Sequence, residues 1–293
     1  MLLSENIINE SCFSDGDRQN YNRYKDRISG KLTDAVNMYM DRKISMQTAL
    51  EKIHDMDFGD LSEYTVDLFF VLECTHILEK KYEATGIDRE IFRYMVEDIK
   101  YKLDECARVK NVFGTFVADW YPGFLELTRV ALGRLQYDII EYDGESITTN
   151  GFTLNKGDFA LKCHIPSGGP LKSELCMESF KLAYEFFRDK LKGGMLPILC
   201  RSWLLYPGYR DVFGEGSNTV DFVKNFKMLS VHETEKFNEA WRVFGTDCDG
   251  DISKLPANTT LQRNFIEYIN AGRTFGGGTG IILYDGKKVL TRE

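Results

Sequence analysis

His164 stands at the end of the apolar run Phe159 to Ile165 and directly before Pro166-Ser167-Gly168-Gly169-Pro170-Leu171. An imidazole at the end of a strand can take a proton near neutral pH, so His164 is a candidate general base. A structural histidine bonded to a neighbouring backbone group fits the same position. Beyond it, Gly168 and Gly169 lack side chains, can adopt positive φ, and allow backbone amides to approach an anion where the next helix begins. Lys172 would add a positive charge to the helix dipole there. Ordinary turn chemistry without a ligand accounts equally for two glycines between two prolines.

A second polar and aromatic segment runs Arg201-Ser202-Trp203-Leu204-Leu205-Tyr206-Pro207-Gly208-Tyr209-Arg210. Tyr206 or Tyr209 can protonate a departing thiolate, and Arg201 or Arg210 can pair with a carboxylate or phosphate. A packing corner of Trp and Tyr with solvated guanidinium groups is the alternative. Ser202 lacks the G-x-S-x-G elbow, so a hydrolase built on His164 and a nearby serine has no motif to stand on. Gly276 to Gly280 precedes an expected strand rather than a helix, which predicts a flexible turn and not a phosphate loop. In Asp247-Cys248-Asp249-Gly250-Asp251 the glycine and the missing distal Glu exclude an EF-hand. Neither Cys74 with His76 nor Cys163 with His164 has metal-ligand spacing, and no metal is expected.

These residues need elements to position them. Phe159 to Ile165 and Leu196 to Leu205 read as strands, the second nearly continuously apolar and so central. Between them Leu175, Phe180, Ala183, Phe187 and Leu191 line one side of an amphipathic helix that Gly193-Gly194 stops, giving a right-handed crossover. Leu135, Tyr137 and Ile139 alternate with Gln136 and Asp138, and with a short strand at Ile147 to Leu154 they predict an antiparallel meander over 133 to 165. Lys227 to Glu233 and Ile281 to Tyr284 are further strands, the last closed by an Asp285-Gly286 turn. Pro207 to Phe213, Thr219 to Phe226, Lys236 to Gly245 and Thr259 to Ala271 read as helical.

Everything before residue 130 is helical in pattern. After about 17 residues that read as a loose arm or a short docking segment, Tyr21, Tyr24, Ile28, Leu32, Val36 and Met40 fall at three- and four-residue steps, predicting one helix over 18 to 41. A second is capped by Ser45. A third follows Asp60, apolar nearly all round and hence the most buried, and a fourth runs from Asp88 to about Lys110. A fifth begins near Pro122.

Composition supports a folded chain: of 293 residues, 43% are hydrophobic and 28% charged. The net charge of −8, without a basic cluster, argues against a nucleic-acid partner. No apolar stretch reaches the roughly 18 residues of a membrane span, and the first residues lack a secretory pattern, so a cytoplasmic protein is expected. The seven cysteines are widely spaced and read as reduced core residues.

Trp120-Tyr121-Pro122, Leu132-Gly133-Arg134-Leu135-Gln136-Tyr137, HIPSGGPL at 164 to 171, Ser202-Trp203-Leu204-Leu205, Ser217-Asn218, Leu255-Pro256 and Thr260-Leu261-Gln262-Arg263 together carry a family likeness. Over nearly its whole length the chain resembles bacterial acyltransferase-domain proteins with a helical N-acyltransferase N-terminal domain and a GNAT-like C-terminal domain. The resemblance implies an α+β or α/β protein, with a helical domain at 1–130. A GNAT-like domain at 131–293 would hold a mixed, largely antiparallel sheet flanked by helices. It implies acetyl-CoA or another acyl-CoA as co-substrate. The strand Phe159 to Ile165 would splay so that pantetheine pairs with it, and Ser167 to Gly169 would bind the pyrophosphate. The coenzyme residues implied are then Ile165, Ser167, Gly168, Gly169 and Lys172, with Arg201 and Trp203 toward the acceptor, a small-molecule or peptide amine. That amine would attack the thioester directly, with His164 as base and Tyr206 or Tyr209 as acid. The sequence departs from the family pattern where Arg/Gln-x-x-Gly-x-Gly/Ala is usual, and Pro170 removes an amide. A GNAT-shaped binding or regulatory module that no longer catalyses is the alternative.

Overall fold

A computed structural model describes residues 4–246 and 251–292, which divide into two compact units, Met1–Ala131 and Leu132–Glu293. Asp247 to Gly250, with Cys248 among them, lie outside the described residues.

In the first unit, α5 (Glu63–Thr85) buries residues on all sides of its middle, from Val66 through Leu72. Its ends follow local rules. Ser62 Oγ accepts the Tyr64 N–H at 3.3 Å, while Asp60 is spent on Arg27 instead. Gly86 closes it at φ +69°, a left-handed position that a side chain would strain. The antiparallel partner α6 (Arg89–Lys110) starts under an Asp88 cap and ends at Asn111 in the same left-handed region.

Of the two readings of the N-terminal arm, the docking segment is the one formed: α1 (Glu5–Ile8) buries Ile7 and Ile8, and a reciprocal Ser14–Asp17 capping box starts α2 at Asp15–Ile28. One expectation changes here. The single helix predicted over 18 to 41 is broken. Gly30 at φ +81° turns the chain before α3 (Thr33–Met40), and the apolar spacing had bridged that turn. Ser45 does cap α4 (Met46–His54), and Pro122 opens the short α7 (Pro122–Leu125).

The chain passes from the first unit to the second within β1 (Arg129–Leu132), the first strand of a sheet that continues with β2 (Leu135–Glu141), β5 (Phe159–His164), β6 (Leu196–Ser202), β8 (Phe275–Tyr284) and β7 (Lys227–Thr234), in that spatial order. β5 is antiparallel to β2 and parallel to β6, while β8 is antiparallel to both β6 and β7. The crossover from β5 to β6 passes through α8 (Ser173–Phe186), which buries Cys176, Ser179, Phe180 and Ala183; Leu175, expected on that side, is exposed.

The predicted meander is not formed. Asn150 and Gly151, both left-handed, make a two-residue turn that folds β3 (Ile147–Thr149) onto β4 (Phe152–Leu154) as a separate hairpin. Phe152 and Leu154 then pack with Ala160, Ile281 and Leu283, so the hairpin covers one sheet face.

The glycine run is also not a turn. It lies within β8, paired with β7 along its length and with β6 from Gly278 onward. A Cβ at Gly276 would stand 2.3 Å from the His232 carbonyl, and one at Gly278 would stand 2.6 Å from the Leu205 carbonyl. Only glycine lets those neighbours close on the strand. After β8 the expected closing hairpin is a single Tyr284–Val289 bridge. The other helices are α9 (Arg210–Phe213), α10 (Asn218–Val223), α11 (Ala240–Phe244) and α12 (Thr260–Asn270).

Candidate active site

The parallel strands β5 and β6 are registered at Leu161 with Ile198 and at Lys162 with Leu199. There the pairing stops. β5 stays hydrogen-bonded to β2 as far as His164 opposite Gln136, and β6 stays with β8 as far as Ser202 opposite Gly278. The last residues of β5, Cys163 and His164, and of β6, Cys200 to Ser202, thus border a wedge. On the buried side of its vertex the Cys163 and Cys200 thiols are neighbours; the Cys200 thiol, and then burial, hold Cys163 well above its ordinary range.

On the opposite face His164 Nε2 lies 2.7 Å from Asp138 Oδ2. Asp138 belongs to β2, two pairs along from the Gln136 that His164 opposes, and alternation brings both side chains to the same face. Side-chain exposures of 18% for His164 and 21% for Asp138 put the pair at a lip, reachable yet partly desolvated. A carboxylate that accepts from Nε2 fixes the tautomer and the ring orientation. By the same alternation Arg201, which is exposed, and its cross-strand neighbour Thr279 share this face. His232 follows on β7, its ring 2.7 Å from where a Cβ on Gly277 would lie. A polar stripe therefore crosses five strands.

The loop beyond His164 has Ile165 and Pro166 half-buried and Ser167 exposed. Gly169 takes φ +80°, while Gly168, expected to share that freedom, keeps an ordinary φ. The Gly169 N–H donates to Ser167 O at 3.0 Å. Arg134, in the turn between β1 and β2, donates from Nε to Pro170 O at 3.2 Å and from an Nη to Gly169 O at 2.8 Å. Helix α8 then starts behind Lys172 with no side chain capping its first amides. Uncapped N–H groups at a 14-residue helix are an anion-accepting surface, which the exposed Lys172 reinforces and Glu174 opposes.

Residues 130–282 match the family described as the GNAT-like C-terminal domain. The chain belongs to this family. No curated protein sequence matches the chain. Among solved structures, an acyltransferase in complex with decanoyl-CoA and teicoplanin aligns with a TM-score of 0.64 at 18% identity, over 95% of this chain and 83% of that one. A mutant acyltransferase in complex with octanoyl-CoA gives 0.65 at 18% identity, over 92% and 87%. An acyltransferase in complex with decanoyl-CoA gives 0.61 at 16%, over 95% and 98%. At these identities the likeness is one of fold.

In this GNAT-like domain the other residues singled out from sequence gather elsewhere. Trp203 and Tyr209 belong to an aromatic cluster with Phe213, Phe237, Phe265, Tyr268 and Phe275. Tyr209 is fully buried, its oxygen accepts the Gly276 N–H at 3.1 Å, and burial pushes its phenol far up. The Tyr206 hydroxyl donates to Glu233 Oε1 at 3.0 Å and lies 2.9 Å from Thr274 Oγ1. Tyr206 meets the face of Gly276, which by alternation along β8 is opposite to that of Thr279 and Arg201, so tyrosines and dyad lie on opposite sides of the sheet.

Asp138, Arg134 and His232 were not singled out from the sequence. The alternation through Gln136 and Asp138 did mark a polar face, but its partner strand and register are not local information. Among the described residues no three His, Cys, Asp or Glu side chains gather as metal ligands, and no helix is long and apolar enough to cross a membrane.

Proposed function

We propose that this protein is an acyl-CoA-dependent N-acyltransferase acting on the amine of a small molecule or peptide. The carrying observation is the wedge between β5 and β6, with the His164–Asp138 pair on its lip and the loop to α8 at its end. Pantetheine carries amides at roughly strand spacing and can fill the unpaired edges of the wedge, as peptides extend a sheet edge. The diphosphate then falls at the amides that open α8, with Ser167, Gly168, Gly169 and Lys172 around it and Ile165 beside the pantetheine arm. His164 Nδ1 takes the proton of the attacking amine while nitrogen bonds to the acyl carbon. The carbon–sulfur bond then breaks and its electron pair stays on sulfur. A thiol ionises near pH 8.5, so the thiolate departs without a strong acid. This reading leaves Tyr209 and Trp203 to packing, gives Tyr206 at most a minor part, and sets Arg201 on the acceptor side.

The similar structures hold octanoyl- or decanoyl-CoA, which are therefore the first donors to try beside acetyl-CoA. Calorimetric titration of the whole chain with these thioesters should show one site. At 100-fold excess over Kd the bound form should gain about 2.7 kcal/mol of stability. Absence of heat and of any melting shift with all three donors would sink the reading. Pro170, which deletes a loop amide, favours one alternative: a GNAT-shaped module that has lost transfer, which would show no acyl transfer to any amine tested.

A further inference from the structure

Within the loop three positions offer no amide to a ligand: Pro166 and Pro170 have none, and that of Gly169 is donated to Ser167 O. Carbonyl oxygens facing the same space would repel an anion, and a loop this short has few ways to turn them aside. Both carbonyls that could do so, those of Gly169 and Pro170, are instead gathered by the guanidinium of Arg134. The turn that presents Arg134 is itself fastened to α8. Ser179 Oγ donates to Leu132 O and accepts the Leu135 N–H at 3.3 Å, one bond on each side of Gly133-Arg134. Gly133 makes the turn at φ +65° against the α8 backbone at Ser179. Helix, turn, guanidinium and loop therefore close a ring that ends where the helix begins.

We propose that Arg134 is the positioning residue of the diphosphate site. By holding the Gly169 and Pro170 carbonyls back, it aims the remaining loop amides and the first turn of α8 at the anion, and its charge offsets Glu174. A planar fork suits two carbonyls at once, which an ammonium on a flexible stem does not. This rests on the acyl-CoA reading above.

The test compares wild type, R134M and R134K as whole chains, titrated with decanoyl-CoA and with decanoyl-pantetheine, which lacks the diphosphate. Melting temperatures establish that each is folded, and R134K carries the test if R134M does not fold. We expect R134M to bind decanoyl-CoA roughly tenfold more weakly or worse, with decanoyl-pantetheine binding unchanged. R134K should fall between wild type and R134M. Wild-type affinity for decanoyl-CoA in a folded R134M or R134K, or equal loss for both ligands, would overturn the role of Arg134. Failure of the wild type to bind decanoyl-CoA would instead overturn the acyl-CoA reading on which it rests.

Discussion

Two histidine–aspartate pairs in this protein have the same bond and opposite settings. In the helical unit His54 Nε2 lies 2.7 Å from Asp67 Oδ1, and in the sheet unit His164 Nε2 lies 2.7 Å from Asp138 Oδ2. Asp67 sits on α5 with its side chain 9% exposed, and burial pushes its carboxyl up to about 6. His164 and Asp138 instead meet at the lip of the wedge, beside an exposed Arg201. Identical hydrogen bonds thus do not mark a reactive centre; in the proposed function, access and polar company single out the His164 pair. The His54 pair satisfies a carboxylate that the packing of α5 has drawn out of water.

The comparison breaks if the wrong pair controls turnover. H164N should lower acyl transfer by about 10²- to 10⁴-fold while leaving Kd for acyl-CoA within about twofold. H54N should leave turnover unchanged and cost the fold about 1–3 kcal/mol, because it removes the partner of a buried carboxylate. Steady-state rates and denaturant melts on the two variants decide between them.

The same contrast has a pH signature. Because the carboxyl of Asp67 titrates near 6 when folded and near 3.8 when unfolded, the folded chain binds the extra proton between those values. The stability that this proton confers is fully present below about pH 4 and is lost as pH rises through 6. D67N, which cannot ionise, should therefore improve relative to wild type by about 1–3 kcal/mol between pH 4 and pH 7. A gap between the two melting curves that stays constant with pH would remove Asp67 as the cause.

Smaller effects sharpen the boundary of the site. Y209F strips the acceptor from the buried Gly276 N–H and should cost about 1–2 kcal/mol of stability without a specific loss of kcat. Y206F, on the far face, should change turnover less than about threefold; a larger fall confined to kcat, with a shifted alkaline limb of the pH profile, would return the acid role to Tyr206.

Much of the path to His164 was legible because it is local. The apolar run before it, the glycines after it and the helix beyond are consecutive, and the β5–α8–β6 crossover follows from them. Asp138 was hidden because a partner on another strand depends on register. The glycines of β8 misled for a related reason: on their own they punctuate, yet here Tyr206, Leu205, Met228 and Phe226 occupy the space where side chains would stand. Ser29-Gly30 and Asn150-Gly151 erred the other way, as turn signals overridden by the apolar patterns around them. Arg134 was visible only as part of a familiar phrase, since its partners lie 35 residues away or more.

Mechanically, the central sheet is two plates sharing a weld of two residue pairs. Spreading them strains that short seam and not the long ladders on either side, so guests of different girth can be admitted with β2–β5 and β6–β8 still in register. On the acyl-CoA proposal, hydrogen exchange at those amides of β5 and β6 that face the seam would respond to what is lodged between the plates, while amides deep in the outer ladders stay silent.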